Sequence, residues 1–122
     1  SYSVTGVQTC ALPILVALRL DEQVNEEVTK ACMMQRQVAT SAVTFLWAAV
    51  PERTVWRYSE RSYRYLYLDA GHMCQNLHLA AESINCGICA IGAYDDDAAD
   101  AVLGLTPPEM FVIYIASLGR KA

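Results

Sequence analysis

This 122-residue sequence lacks several motifs and patterns that would indicate a particular function. It contains no glycine-rich phosphate loop and no Gly-x-Ser-x-Gly elbow, which argues against the nucleotide-binding and hydrolase classes that carry those motifs. Its longest apolar run is far too short for a membrane span, so we expect no membrane association. The formal net charge of −4 lacks the basic excess of a nucleic-acid-binding surface, so no nucleic-acid partner is expected either.

Thiol and metal chemistry also find little support. The five cysteines are an odd number, and no basic segment precedes the apolar run Ala11–Leu18 as in a signal peptide, so we expect free thiols and a cytoplasmic protein. Cys86-Gly-Ile-Cys89 has the spacing of a redox or metal pair, but zinc would need a second pair. His72 and His78 are six residues apart, which is not the i, i+4 spacing of helical ligands. We therefore predict no metal site.

What the sequence does contain is enough apolar residues, 54% of the chain, for the core of one domain. The central feature is a predicted helix over Glu60–Asn85, in which apolar residues recur at steps of three and four. They are Tyr63, Leu66, Ala70, Met73, Leu77, Ala81 and Ile84. Because apolar residues also occur on its other side, we expect this helix to be buried over most of its length. Ser59 can cap its start, and Gly87 can end it in a left-handed turn.

Two short segments are apolar on both faces and predict buried strands of one sheet beside the helix. They are Ala42–Val50, for which a helical segment is an alternative, and Met110–Ala116. Cys86–Ala93 predicts a further short strand that leads into a turn. Asp21 can cap an earlier helix, whose inner side would carry Val24, Val28, Ala31 and Cys32.

The acidic run Asp95–Asp97 could hold a metal, but helix capping is the more economical interpretation. Asp95 can act as the N-cap while the next two carboxylates lie at the positive end of the helix dipole. Gly104 would end this helix, and Pro107-Pro108 would block its continuation. Strands interleaved with helices indicate an α+β or α/β fold with a sheet covered on both sides.

The segment Val4–Ile14, VTGVQTCALPI, resembles the translation of a common short-read sequencing adapter over all of its residues. The alternative is a genuine strand and turn that ends at Pro13. We interpret residues 1–14 as an adapter-derived artefact and exclude them from fold reasoning. On this interpretation, residues 15–122 are the C-terminal part of a single domain whose beginning lies further upstream.

A family resemblance adds what spacing alone does not supply. The match runs from about Val50 to Lys121, and its specificity lies in the combination of its parts. Those parts are Glu60–Tyr65, Leu68–His72, Gln75–Leu77, Ala90–Asp97, Leu103–Leu105 and Tyr114–Arg120. Together they strongly resemble the SagB-type dehydrogenases of the nitroreductase superfamily.

This resemblance implies a flavin mononucleotide (FMN) enzyme with a three-layer α+β fold, in which helices surround a mostly antiparallel sheet. It also implies an obligate homodimer with the flavin at the interface and a small-molecule or peptide substrate. SagB-like members oxidise peptide azolines to thiazoles or oxazoles, while wider relatives reduce nitro groups or quinones with nicotinamide cofactors. A cofactor-free binding or dimerisation module on the same fold is the alternative from another class.

The resemblance also implies cofactor-binding residues. In the wider family, the turn that matches Ala90, Ile91, Gly92 and Ala93 presents backbone groups to the flavin edge. A fixed backbone N–H beside flavin N5 can tune its reactivity, and glycine permits a close approach because it has no Cβ. Arg120 matches a terminal basic position that could pair with the FMN phosphate. The plainer alternatives are an ordinary strand-end turn and a solvated charge near the C-terminus.

The sequence departs from the family in ways that limit the assignment of further residues. The family's N-terminal basic segment, which holds the flavin phosphate, has no counterpart here, and neither does its middle segment. We therefore assign no catalytic residue. Asp69 and His72 are expected to organise the long helix rather than to react.

Overall fold

The structure is a computed structural model that describes residues 3–7, 14–19 and 21–121, with side chains described from residue 21 onward. Within these residues, five strands and five helices follow one another. In order they are β1 Ser3–Val7, β2 Ile14–Arg19, α1 Val24–Ala31, α2 Arg36–Ala39, β3 Val43–Ala49, α3 Glu52–Tyr58, α4 Ser62–Ser83, β4 Cys86–Ile91, α5 Asp96–Leu103 and β5 Phe111–Arg120. A single 3-10 turn, Ser59–Arg61, joins α3 to α4.

The central sheet has the strand order β3-β5-β4, and both strand pairs are antiparallel. The prediction that Ala42–Val50 and Met110–Ala116 are strands of one sheet is confirmed, and the two are direct neighbours. The expected burial of the first is wrong, because β3 lies at the edge of the sheet and only its Ala49 is buried. The strand β5 continues to Arg120, further than predicted, because its last residues pair with the beginning of β4. The strands β1 and β2 form a separate antiparallel pair.

The sheet lies between two helical layers. On one face, α1, α2 and α5 pack against the strands around a core that includes Val28, Val38, Ile91, Val102 and Ile115. On the other face, α4 packs against β4 and β5. The structure therefore has the predicted three-layer α+β architecture with an antiparallel sheet.

The shorter helices follow the predicted patterns closely. All four residues expected on the inner side of α1 or just beyond it are buried: Val24, Val28, Ala31 and Cys32. Asp21 Oδ1 accepts hydrogen bonds from the N–H groups of Gln23 and Val24, so it caps the helix as expected. In α5, Asp95 Oδ1 accepts from the N–H of Ala98 at 2.9 Å, which confirms the predicted N-cap. Gly104 ends α5 in the left-handed region with φ 66°.

The ends of the long helix differ from the prediction. The residues before it are helical, because α3 begins directly after Pro51, a residue that suits the start of a helix. Ser59 does not cap α4 and instead begins the 3-10 turn with a positive φ. At the other end the left-handed residue is Asn85, with φ 57°, while Gly87 lies within β4. Asparagine tolerates this conformation better than most residues with a side chain, so glycine is not required there.

The prediction that the long helix is buried over most of its length is wrong for this chain. Of its 22 residues only Ser62, Ala70, Cys74 and Ala81 are buried. Its large exposed apolar residues are Tyr63, Tyr65, Tyr67, Leu68, Met73 and Leu79. One side of α4 contacts the sheet, and α3 and the 3-10 turn contact its beginning, but these contacts leave the six residues above exposed. The apolar pattern therefore marks a surface that the described residues leave open.

The adapter-like run falls partly outside the described residues, since residues 8–13 are not among them. Its first part lies in β1, and Ile14 begins β2, with Val7 paired to Ile14. The adapter origin of this run stays a prediction.

Candidate functional site

The predicted flavin-contacting turn lies where β4 leaves the sheet. Ile91 is only 2% exposed and is part of the core beneath the sheet, so it fixes the position of the turn. Ala90, Gly92 and Ala93 are exposed. A Cβ built on Gly92 would meet no atom within 4 Å. The chain's own packing therefore does not require a glycine here, and the space beside the backbone is open.

Hydrogen bonds hold the turn from one side only. Gln35 Nε2 donates to the carbonyl oxygen of Ala93 at 2.7 Å, and the N–H of Asp95 donates to the carbonyl oxygen of Ala31 at 2.8 Å. Across residues 21–121, the N–H of Gly92 has no hydrogen-bond partner. A fixed backbone donor beside open space can bind an acceptor atom of a ligand without reorganising the turn.

Gly92 opens into a cleft of ≈ 460 Å³ between α4 and the end of the sheet. The cleft is lined by Tyr67, Ala70, Gly92, Tyr94, Asp96, Phe111, Val112, Ile113 and Tyr114. Flat aromatic and apolar side chains dominate, as in most cofactor sites. The lining contains one carboxylate and no Lys or Arg. It therefore fits an uncharged ring system and does not fit a phosphate group.

Two phenol groups of the cleft, those of Tyr94 and Tyr114, have a raised pKa and stay protonated around neutral pH. Burial, followed by the negative charge of Asp96, raises the pKa of Tyr94 to about 12. Burial also raises the pKa of Tyr114, and the nearby thiol of Cys74 raises it further. The same burial raises the pKa of Cys74. These groups are neutral hydrogen-bonding groups rather than nucleophiles or bases.

A second cleft of ≈ 580 Å³ adjoins the first, and the two share Ala70 and Ile113. It combines the aromatic Trp47 with polar side chains from α3 and α4, namely Arg53, Thr54, Asp69, His72 and Asn76. The rings of Trp47 and Tyr114 lie 5.9 Å apart. Sequence analysis assigned Asp69 and His72 only to helix organisation and did not identify the aromatic lining. Tyr94 directly follows the predicted turn, and this position is the one signal that could have pointed to it.

The structure does not bring Arg120 together with the predicted turn. Arg120 is exposed and pairs with Cys86 at the start of β4, whereas Ile91 pairs with Ile115. The two pairs are five residue steps apart along β5, which corresponds to about 17 Å. The two parts of the predicted cofactor site thus lie at opposite ends of the β4–β5 pair.

The Cys86-Gly-Ile-Cys89 spacing has a structural explanation. Both cysteines belong to one strand, where three steps span about 10 Å and place the side chains on opposite faces. A disulfide needs the two Cα atoms within about 7 Å, so this pair cannot form one without breaking the strand. No three His, Cys, Asp or Glu side chains of the described residues come together as a metal site requires. Within the same residues, no helix has the length and hydropathy of a membrane span.

Comparison with known proteins identifies the family. The sequence profile of the Nitroreductase family matches residues 11–120, so the chain belongs to the nitroreductase family. A protein of Methanocaldococcus jannaschii that is named as a nitroreductase is 31% identical over 102 residues. That alignment covers 84% of this chain and 50% of the relative, so the chain spans about half the length of the curated relative that it matches.

Solved structures support the same fold. The microcin synthetase McbBCD complex of E. coli, solved with truncated pro-MccB17 bound, matches with a TM-score of 0.79 and 15% identity. That match covers 89% of this chain and 41% of the solved one. The NADPH:FMN oxidoreductase of Vibrio harveyi, in complex with NAD+, matches with a TM-score of 0.70 and 23% identity. It covers 97% of this chain and 49% of the solved one.

Proposed function

We propose that this chain is the C-terminal part of an FMN-dependent oxidoreductase and that the turn Ala90–Ala93 contacts the edge of the flavin ring. The observation that carries the proposal is the N–H of Gly92, which has no hydrogen-bond partner among residues 21–121 and belongs to a residue that lines an open, largely aromatic cleft. Membership of the nitroreductase family and the fold shared with an FMN oxidoreductase support it.

Several residues of this chain would each contact a different part of the flavin ring. Gly92 N–H donates to an acceptor atom at the ring edge, while Tyr67 and Tyr94 supply flat apolar surfaces that exclude water from it. FMN, when bound, supplies hydride transfer, and the protein tunes it by hydrogen bonds to the ring. Because no cation lines the cleft, the phosphate must be held elsewhere. Arg120 and the upstream part of the protein are the groups that we propose for it.

For the reaction, we propose dehydrogenation of peptide azolines to thiazoles or oxazoles during peptide modification. The SagB-type motifs motivate this assignment, and the fold shared with a microcin synthetase complex is compatible with it. Reduction of nitro groups or quinones with a nicotinamide cofactor is the second candidate, which the fold shared with the NADPH:FMN oxidoreductase favours. The two are separated by assaying the longer protein with an azoline peptide and with a nitroaromatic compound plus NADPH.

We also propose that the complete protein is a homodimer in which the open side of α4 is covered by the second copy. The exposed residues there include Tyr67, Leu68 and Leu79, and Leu79 is 62% exposed. Apolar groups gain roughly 25 cal/mol per Å² on removal from water, so covering such a surface favours association.

The assignment is tested by titrating FMN into the purified chain and following flavin fluorescence. Because the phosphate contacts are incomplete, we expect weak binding. Gly92→Leu should weaken it further, by about tenfold, because the new side chain would keep the ring from reaching the N–H of residue 92, and one lost hydrogen bond is equivalent to about 0.5–1.5 kcal/mol. Gly71→Leu is the matched control, because Gly71 lies in α4 and a Cβ there also meets nothing within 4 Å. Equal affinities for all three chains would contradict the proposed contact and favour a cofactor-free module.

A further inference from the structure

The strand β5 is irregular where it lines the cleft. Its pairing with β3 runs evenly from Leu118 to Tyr114, but the next residue of β3 pairs with Val112, so Ile113 is an extra residue. This is a β-bulge, which interrupts the regular ladder and changes the direction of neighbouring side chains. Bulges of this kind are over-represented next to active sites.

The bulge decides which side chains enter the cleft. Val112 and Ile115 both belong to the core on the α1 and α5 side of the sheet. Ile113 and Tyr114, although consecutive, both face α4: Ile113 lines both clefts, and Tyr114 lies close to the thiol of Cys74 in α4. In a regular strand, successive side chains point to opposite faces. Without the extra residue, either Ile113 would leave the cleft or Val112 would leave the core.

Side chains from outside the sheet satisfy the backbone of Val112. Its N–H donates to Asp100 Oδ1 at 2.6 Å, in a bond that is buried. Its carbonyl oxygen lies 3.5 Å from the hydroxyl of Tyr94, which donates a long hydrogen bond. Asp100 lies in α5 and is only 5% exposed. A buried carboxylate needs such a donor, and a charge-assisted bond is stronger than a neutral one.

We infer that Asp100 is a positioning residue for the cleft: by holding the N–H of Val112, it fixes the bulge that directs Ile113 and Tyr114 towards the space beside Gly92. This inference rests on the proposed function only where it concerns the flavin. The same carboxylate belongs to the helix that follows the Gly92 turn, so it joins that turn to the opposite wall of the cleft. Asp100 touches no reacting atom and acts through the backbone of Val112.

The test compares Asp100→Ala and Asp100→Asn with the wild-type chain. Asp97→Asn is the matched control, because Asp97 is an exposed carboxylate on the same helix. Amide hydrogen exchange is followed at Val112, with Val28 as a report on global stability, and amide chemical shifts are followed at Ile113 and Tyr114. FMN is then titrated into each chain.

For Asp100→Ala we expect the exchange of the Val112 amide to accelerate at least tenfold more than that of Val28, with shifts at Ile113 and Tyr114. Asp100→Asn keeps an acceptor oxygen and should restore most of this protection. Equal acceleration at Val112 and Val28 would show that Asp100 is merely structural and would overturn the inference. If Asp100→Ala does not fold, Asp100→Asn still tests the inference. Its neutral hydrogen bond is weaker, so the amide exchange rate should rise slightly at Val112 and stay unchanged at Val28.

The exchange measurement involves no flavin, so the two proposals fail separately. If amide exchange accelerates selectively at Val112 in Asp100→Ala but FMN changes no amide chemical shift in the wild-type chain, the flavin assignment is refuted and the positioning role is supported. Weaker FMN binding in Asp100→Ala than in Asp97→Asn, together with selective exchange, would support both.

Discussion

Two glycines of this chain should respond in opposite ways to the addition of one methyl group. Gly104 ends α5 with φ 66°, where a residue with a Cβ is strained by roughly 1–2 kcal/mol. Gly92 has no left-handed φ, and a Cβ there meets nothing within 4 Å. Replacing glycine by alanine at an unstrained position stabilises a protein by about 0.4–1 kcal/mol, because the unfolded chain loses freedom.

These values set the expected change in melting temperature. Unfolding entropy of about 2.1 cal/mol/K per residue gives about 0.25 kcal/mol/K for 122 residues. Gly104→Ala, at a net loss of about 1 kcal/mol, should therefore lower Tm by about 4 °C, whereas Gly92→Ala should raise it by about 2–4 °C. Thermal unfolding followed by circular dichroism measures both. A loss of stability in Gly92→Ala would refute the argument that nothing in the chain itself requires glycine at this position.

Three further predictions follow from the helix cap, the buried phenol and the apolar face of α4. Asp95→Ala removes the side-chain acceptor for the N–H of Ala98, so the free energy of unfolding should fall by about 1 kcal/mol, as measured by urea titration. Because burial raises the pKa of Tyr94 to about 12, the unfolded chain should lose this proton at lower pH than the folded chain does. Stability should consequently decline as pH rises from about 10 towards 12, and Tyr94→Phe should reduce that slope in urea titrations, whereas an unchanged slope would exclude Tyr94 as its cause. Leu79→Lys should weaken any self-association of the longer protein in sedimentation velocity, and an unaltered dimer would place the interface elsewhere.

Local sequence patterns predicted the elements whose determinants lie close together in the chain. Asp95 and Gly104 define the ends of α5 by capping alone, and both act as expected. The apolar residues of α1 are buried because their helical spacing places them on one face of the helix, and this face packs against the core. The two doubly apolar segments became adjacent strands as expected, although β3, at the edge of the sheet, is only half-buried over most of its length.

Other features depend on contacts that sequence spacing does not encode. The helix α4 is apolar on more than one side. This pattern is the same for a helix buried within one chain and for a helix whose exposed apolar side is covered by another chain. The bulge at Ile113 depends on Asp100, which is twelve residues from Val112 and looks in the sequence like one more acidic helix residue. The separation of Arg120 from the Gly92 turn follows from the antiparallel register of β4 and β5, and the motif match alone did not reveal it.

The central claim is that the turn at the end of β4 contacts a flavin, and amide chemical-shift mapping during an FMN titration tests it most directly. We predict that FMN shifts the amide of Gly92 and those of Ile113 and Tyr114 across the cleft, while the amide of Val28 in the core stays in place. Riboflavin, which has the ring but no phosphate, should shift the same amides, because the cleft contains no cation that could recognise the phosphate. Shifts that avoid Gly92 with FMN, or that are missing from Gly92, Ile113 and Tyr114 with riboflavin, would contradict the account.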